Sequence, residues 1–110
     1  MAASAESLGS LEHIVLLAVL RLREDAYGMT VLREIASVTG RDLAIGAVYS
    51  TLTRLESKGF IRSWAGEPTA ERGGRAKRYF HLTPAGREAL RHMRDVVQKM
   101  SAGLKGLQVT

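Results

Sequence analysis

From Ser10 to Leu22 the chain is apolar on almost every helical face, most densely over residues 14–20. A helix that is apolar all round has to be covered on both sides. One side is expected to meet this domain's own core and the other a partner subunit, with Ser10 as N-cap. A charged link, Arg23-Glu24-Asp25, leads to a second helix opened by Gly28 and Thr30, with Thr30 or a near neighbour as cap. Its apolar positions Val31, Leu32, Ile35 and Val38 recur at helical spacing to about Thr39, and Gly40 stands where a left-handed stop is favoured. After the turn 41–44, a third helix over residues 45–58 places Ile45, Val48, Leu52 and Leu55 on one stripe.

Gly59 ends that helix. Residues 60–64 read as a short strand, 66–75 as a loop carrying Pro68 and Gly73-Gly74, and 77–82 as the returning strand. Thr83-Pro84 is a strong helix start, Thr at the N-cap and Pro at the first helical position, and the last helix is expected to reach about Leu107. The order helix, helix, helix, hairpin, long helix predicts a mainly α fold with a small β-hairpin. It is a winged helix-turn-helix followed by a long C-terminal dimerisation helix. The expected division is a flexible tail over 1–7, the winged domain over 8–82, the dimerisation helix over 83–107 and a tail over 108–110.

Charge gives the pattern a direction. Sixteen Lys and Arg stand against eleven Asp and Glu, a net +5, which suits a polyanionic partner. There is no cysteine, so disulfides, thiolate zinc sites and cysteine nucleophiles are excluded. His13, His81 and His92 are scattered without metal-ligand spacing, Gly73-Gly74 is not followed by the Lys-Ser/Thr of a phosphate loop, and no serine elbow occurs. No catalytic residue, metal or cofactor is expected. The first residues lack a signal-peptide pattern and no apolar run spans a bilayer, so the expected location is the cytoplasm, away from membranes.

With the apolar stripe of the third helix against the core, the opposite face holds Gly46, Ala47, Ser50, Thr53, Arg54 and Ser57, with Tyr49 between the faces. Small residues, hydroxyls, one cation and no acid suit a helix entering the major groove of double-stranded DNA. The wing carries Arg72, Arg75, Lys77 and Arg78 against Glu67 and Glu71; such basic wings contact the backbone and supply affinity more than sequence choice. In the last helix Leu90, Met93, Val97, Met100, Leu104 and Leu107 are spaced alternately three and four apart, an a/d stripe. Together with Ile14 and Leu17 of helix one it is the expected homodimer interface. Gly103 and Gly106 weaken its end by about 1 kcal/mol each, so fraying is expected after about Met100.

Four segments resemble the PadR family of bacterial winged-helix transcriptional regulators: Ala26-Tyr27-Gly28-Met29; the run 46–61 from Gly46-Ala47-Val48-Tyr49 to Gly59-Phe60-Ile61; the glycine-rich wing 66–75 followed by Lys77-Arg78-Tyr79-Phe80; and Leu82-Thr83-Pro84-Ala85-Gly86. The resemblance covers residues 8–107. It implies a homodimeric regulator, a repressor, on a pseudo-palindromic operator, released by a small-molecule effector whose contact residues do not stand out. It also implies a phosphate contact for the Tyr49 hydroxyl. Two positions depart from the pattern. Ala44 stands where many members carry Ser, removing a side-chain cap worth about 1 kcal/mol, and Phe80 stands where Tyr is common. Two other readings of the same basic face are a module that binds an acidic protein and a protein that coats nucleic acid without sequence choice.

Overall fold

A computed structural model describes residues 8–67 and 77–107. Helix α1 spans Ser10–Leu22 and ends in a 3-10 turn, Arg23–Asp25; α2 spans Gly28–Thr39, α3 Ile45–Ser57 and α4 Pro84–Ser101. Strands β1, Ile61–Ala65, and β2, Arg78–Leu82, pair antiparallel from Ile61 opposite Leu82 to Ala65 opposite Arg78. A third, minimal strand lies beside β2, where Tyr27 bridges Tyr79 and the Phe80 N–H donates to the Ala26 carbonyl at 2.9 Å. The expected tails, 1–7 and 108–110, and the wing loop 68–76 lie outside the described residues.

The core is built around α1. Val15, Leu16, Ala18 and Val19 are buried against Val31 and Ile35 of α2, Val48, Leu52 and Leu55 of α3, the hairpin residues Ile61, Phe80 and Leu82, and Leu90 of α4. This explains the all-round apolar character of α1: three helices and the sheet surround it, and only Leu17, 40% exposed, is left open. Ile45 does not join its predicted stripe in the core. It sits on the first turn of α3 and is 37% exposed, and the fully buried Thr51 takes a core position in the stripe instead. The Thr51 hydroxyl donates to the Ala47 carbonyl at 2.8 Å, so its burial leaves no orphaned polar atom.

The helix ends follow local chemistry, with two shifts of cap. Gly9, not Ser10, is the N-cap of α1; its N–H donates to Glu12 Oε1 at 2.9 Å, the reciprocal half of a capping box. Thr30 lies three residues inside α2, where its hydroxyl accepts the Tyr27 N–H at 2.9 Å. At the end of α3, Gly59 has φ +82°, its N–H donates to the Glu56 carbonyl and that of Phe60 to the Leu55 carbonyl, each at 3.0 Å. This Schellman arrangement turns Phe60 into the core. Helix α4 stops at Ser101, short of the expected Leu107, because the chain turns at Gly103 and Gly106, both with φ near +80°.

The Leu-Thr-Pro-Ala-Gly segment is a clamp. Thr83 Oγ1 accepts the Gly86 N–H at 3.1 Å and donates to the Gly59 carbonyl at 2.6 Å, while the Thr83 N–H donates to the Phe60 carbonyl at 3.0 Å. A side chain on Gly86 would overlap the Phe60 carbonyl, which is backbone and cannot swing aside. Gly86→Ala is therefore expected to destabilise the fold by about 2–3 kcal/mol, the range of overpacking. A urea titration followed by circular dichroism measures it, and an unchanged midpoint would contradict this packing.

Candidate nucleic-acid interface

Helices α2 and α3, joined by the turn 40–44, present one face of α3 to solvent. Gly46, Ser50, Thr53 and Ser57 are exposed and Ala47 is half-buried, as the sequence pattern predicts. The side-chain cap is absent at Ala44 as well, so the N-terminal N–H groups of α3 are left without a side-chain acceptor from that residue. The Thr53 hydroxyl is turned back onto the helix, donating to the Tyr49 carbonyl at 3.0 Å, which leaves its methyl and lone pair outward. Arg41, exposed on the turn just before α3, adds a cation that the sequence reading did not single out.

Tyr49 is 48% exposed, and its ring covers Gly28 at the start of α2. An atom added at Gly28 would fall 2.5 Å from the Tyr49 hydroxyl oxygen. The Tyr-Gly of the second helix and the Val-Tyr of the third thus meet as one contact, which sets the distance between the two helices of the motif.

Arg54 is not a free cation. Its Nε lies 3.4 Å from Glu12 Oε2 and its Nη2 3.2 Å from Thr51 Oγ1, while Lys58 Nζ lies 2.8 Å from Glu12 Oε1. The Glu12 side chain is only 8% exposed, so α1 places a buried carboxylate beneath the C-terminal half of α3. Burial pushes the Glu12 carboxyl up, but the Lys58 ammonium, the Gly9 N–H and Arg54 together outweigh it and hold it below the ordinary carboxylate value. Sequence reasoning missed this pair of bonds; the available signal was the lone acid at the third position of an otherwise apolar helix.

A carboxyl held low stabilises the fold when ionised. The contribution is present above its unfolded value of about 4.5 and is lost as pH falls through the lower folded value. Glu12→Gln keeps the shape and removes the charge. We expect it to cost about 1–2 kcal/mol at neutral pH and progressively less in acid, because protonation has by then removed the same charge from the parent. Paired urea titrations at neutral and acid pH check this; a cost independent of pH would contradict the ion-pair account.

At the wing root, Lys77 Nζ lies 4.3 Å above the Tyr27 ring and 3.3 Å from its hydroxyl. Arg78 Nη1 donates to Ser63 Oγ at 3.2 Å, and that hydroxyl donates to Glu56 Oε2 at 2.7 Å. Both cations therefore brace the hairpin. Arg72 and Arg75 lie outside the described residues.

The expected dimer stripe divides. Leu90 is 8% exposed and belongs to the domain's own core, and Ile14 and Met93 pack against that core. The domain thus covers Leu90 without a second chain and covers Ile14 and Met93 in part. Beyond Met93 the helix leaves the domain, and Val96, Val97, Met100, Leu104 and Leu107 are exposed by 39–76%. Val96 was not on the predicted stripe.

The profile of the PadR-like family of transcriptional regulators matches residues 16–92. A search of curated proteins returns no match. Among solved structures, a PadR family transcriptional regulator from Eggerthella lenta is 26% identical with TM-score 0.67, covering 82% of this chain and 76% of its own. A Streptococcus transcriptional regulator is 27% identical with TM-score 0.61, covering 83% and 88%. F93 from STIV, a winged-helix DNA-binding protein, shares the fold at 16% identity, with TM-score 0.63 and coverage of 83% and 90%. No helix among the described residues is long and apolar enough to cross a membrane. With the family profile spanning most of the winged domain and the helix-turn-helix contacts in place, this chain belongs to the PadR-like family of transcriptional regulators.

Proposed function

We propose that this protein is a cytoplasmic homodimeric repressor that reads a pseudo-palindromic operator. The observation that carries this reading is the exposed outer face of α3, where Gly46, Ser50, Thr53 and Ser57 offer small and hydroxyl side chains and no acid. Two copies of that helix enter successive turns of the major groove, with Ala47 allowing close approach and Ser50 and Thr53 reaching base edges. Tyr49 and Arg41 meet phosphates. Arg54 lies on the same face but is restrained by Glu12, so it serves the backbone more readily than a base. Arg72 and Arg75 of the wing add contacts to the backbone, while Lys77 and Arg78 hold the wing root.

The second copy is held by the exposed end of α4, through Val97 and Met100, by Leu104 just past that end, and by Leu17 on α1. A repressor sign and release by a small-molecule effector rest on the family resemblance. The test is titration of the purified protein with the intergenic DNA beside its own gene and with scrambled DNA across a salt series. Tighter binding to the former, with affinity falling steeply with salt, is expected; equal affinity for both would contradict a sequence-reading regulator. In the same assay Arg75→Ala is expected to weaken binding on every sequence and to flatten the salt slope by about one ion per subunit.

A further inference from the structure

The outer face of the hairpin carries an aromatic run that the DNA-binding reading leaves unused. The register sets Trp64 opposite Tyr79 and Arg62 opposite His81. These side chains share the face turned away from the core, while Ile61, Phe80 and Leu82 point inward. Trp64 and Tyr79 are stacked, centroids 5.5 Å apart and planes 22° off parallel. His81 lies 5.2 Å from Trp64 with the two rings tilted by 46°, and Tyr27 meets Tyr79 edge-on at 5.4 Å. The indole nevertheless remains 38% exposed.

The 3-10 turn after α1 stands against this shelf and makes an open groove of about 620 Å³, lined by Arg23, Glu24, Asp25, Trp64, Tyr79 and His81. That volume is ligand-sized. Arg23 holds the turn in place at φ +56°, the one left-handed residue other than glycine among those described, with its N–H on the Leu20 carbonyl. Such a conformation costs free energy and persists where its surroundings require it. Glu24 and Asp25 are exposed and make no ion pair among the described residues. Two free carboxylates against one guanidinium disfavour a phosphate backbone here, and the ring faces attract positive charge.

We propose that this groove is a binding site for a planar aromatic cation, which lays its ring on Trp64 and sets its charge against Glu24 and Asp25. The site lies on the wing root, since the Tyr79 ring also fills the space where a side chain on Gly66 would stand, within 2.5 Å. Occupancy there is coupled to the hairpin that carries the wing.

Trp64 is the only tryptophan in the chain, so its fluorescence reports on the site directly. Full-length protein without DNA is titrated with N-methylquinolinium, with quinoline and with 2-naphthoate at about pH 8, so that the first two differ in charge and share a ring system. The expected result is saturable quenching by the cation, with affinity about tenfold above that for quinoline and still weaker binding of the anion. The Glu24→Gln/Asp25→Asn double variant is expected to lose about tenfold in cation affinity with an unchanged melting curve. Quenching that rises linearly, as for free N-acetyltryptophanamide, overturns the proposal. So does equal or tighter binding of quinoline or naphthoate, or an unaltered affinity in the double variant. Because no DNA is present, the outcome is independent of whether the protein reads an operator.

Discussion

Replacing Ser50 by Glu is expected to abolish specific DNA binding while leaving the fold untouched. Ser50 is exposed on the outer face of α3, and its side chain makes no hydrogen bond within the protein among the described residues. A carboxylate there meets the negative groove at close range, where like-charge juxtaposition costs several kcal/mol, or about a hundredfold or more in affinity. The proposed dimer would carry the change twice. Gel-shift titration gives the affinity and a thermal melt the stability. Retained binding would remove the outer face of α3 from the interface, and a lowered melting temperature would mean that Ser50 is packed in a way its exposure does not suggest.

The second large effect is expected at the far end of α4. Val97 is 40% exposed and Met100 76%, so charges placed there cost the monomer little. Buried between two copies, the same charges lack partners and incur the desolvation penalty of unpaired ions. Val97→Asp/Met100→Asp is therefore expected to convert a dimer into a folded monomer at micromolar concentration, raising the dissociation constant by about a hundredfold or more. Sedimentation equilibrium measures this, and circular dichroism confirms the fold. Operator affinity should fall with it, because one half-site contact then has to act alone. A parent protein that sediments as a monomer would contradict the dimer reading at once.

Local chemistry made most of the fold legible in the sequence. Thr83 and Pro84 cap α4 because a hydroxyl acceptor and a fixed φ act within a few residues, and Gly40 and Gly59 end α2 and α3 for similarly local reasons. The outer face of α3 followed from helical period alone. What periodicity does not encode is which neighbour covers a stripe. Leu90 and Val97 lie on the same predicted a/d pattern, yet one is core and the other is open, because the domain surface ends between them. Ile45 fits the stripe of α3 by spacing and falls outside the core by its place on the first turn.

The Glu12 bonds were illegible for a different reason. Glu12 and its partners Arg54 and Lys58 are 42 and 46 residues apart in the chain, and only the packing of α1 beneath α3 brings them together. That contact changes the reading of the candidate site. Arg54, one cation of the outer face by helical period, proves to be restrained by Glu12, which is why the proposed base contacts are assigned to the small and hydroxyl residues. In the same way Lys77, one of the wing's cations in sequence, proves to sit over Tyr27.

Two copies of α3 are proposed to read DNA as a symmetric pair. Selection of bound duplexes from a random-sequence pool tests it without knowledge of the natural site. Enrichment is expected for an inverted repeat whose half-site centres lie about one helical turn, 10–10.5 base pairs, apart or a multiple of that. Recovery of a single unrepeated element, or no enrichment over the starting pool, would contradict it.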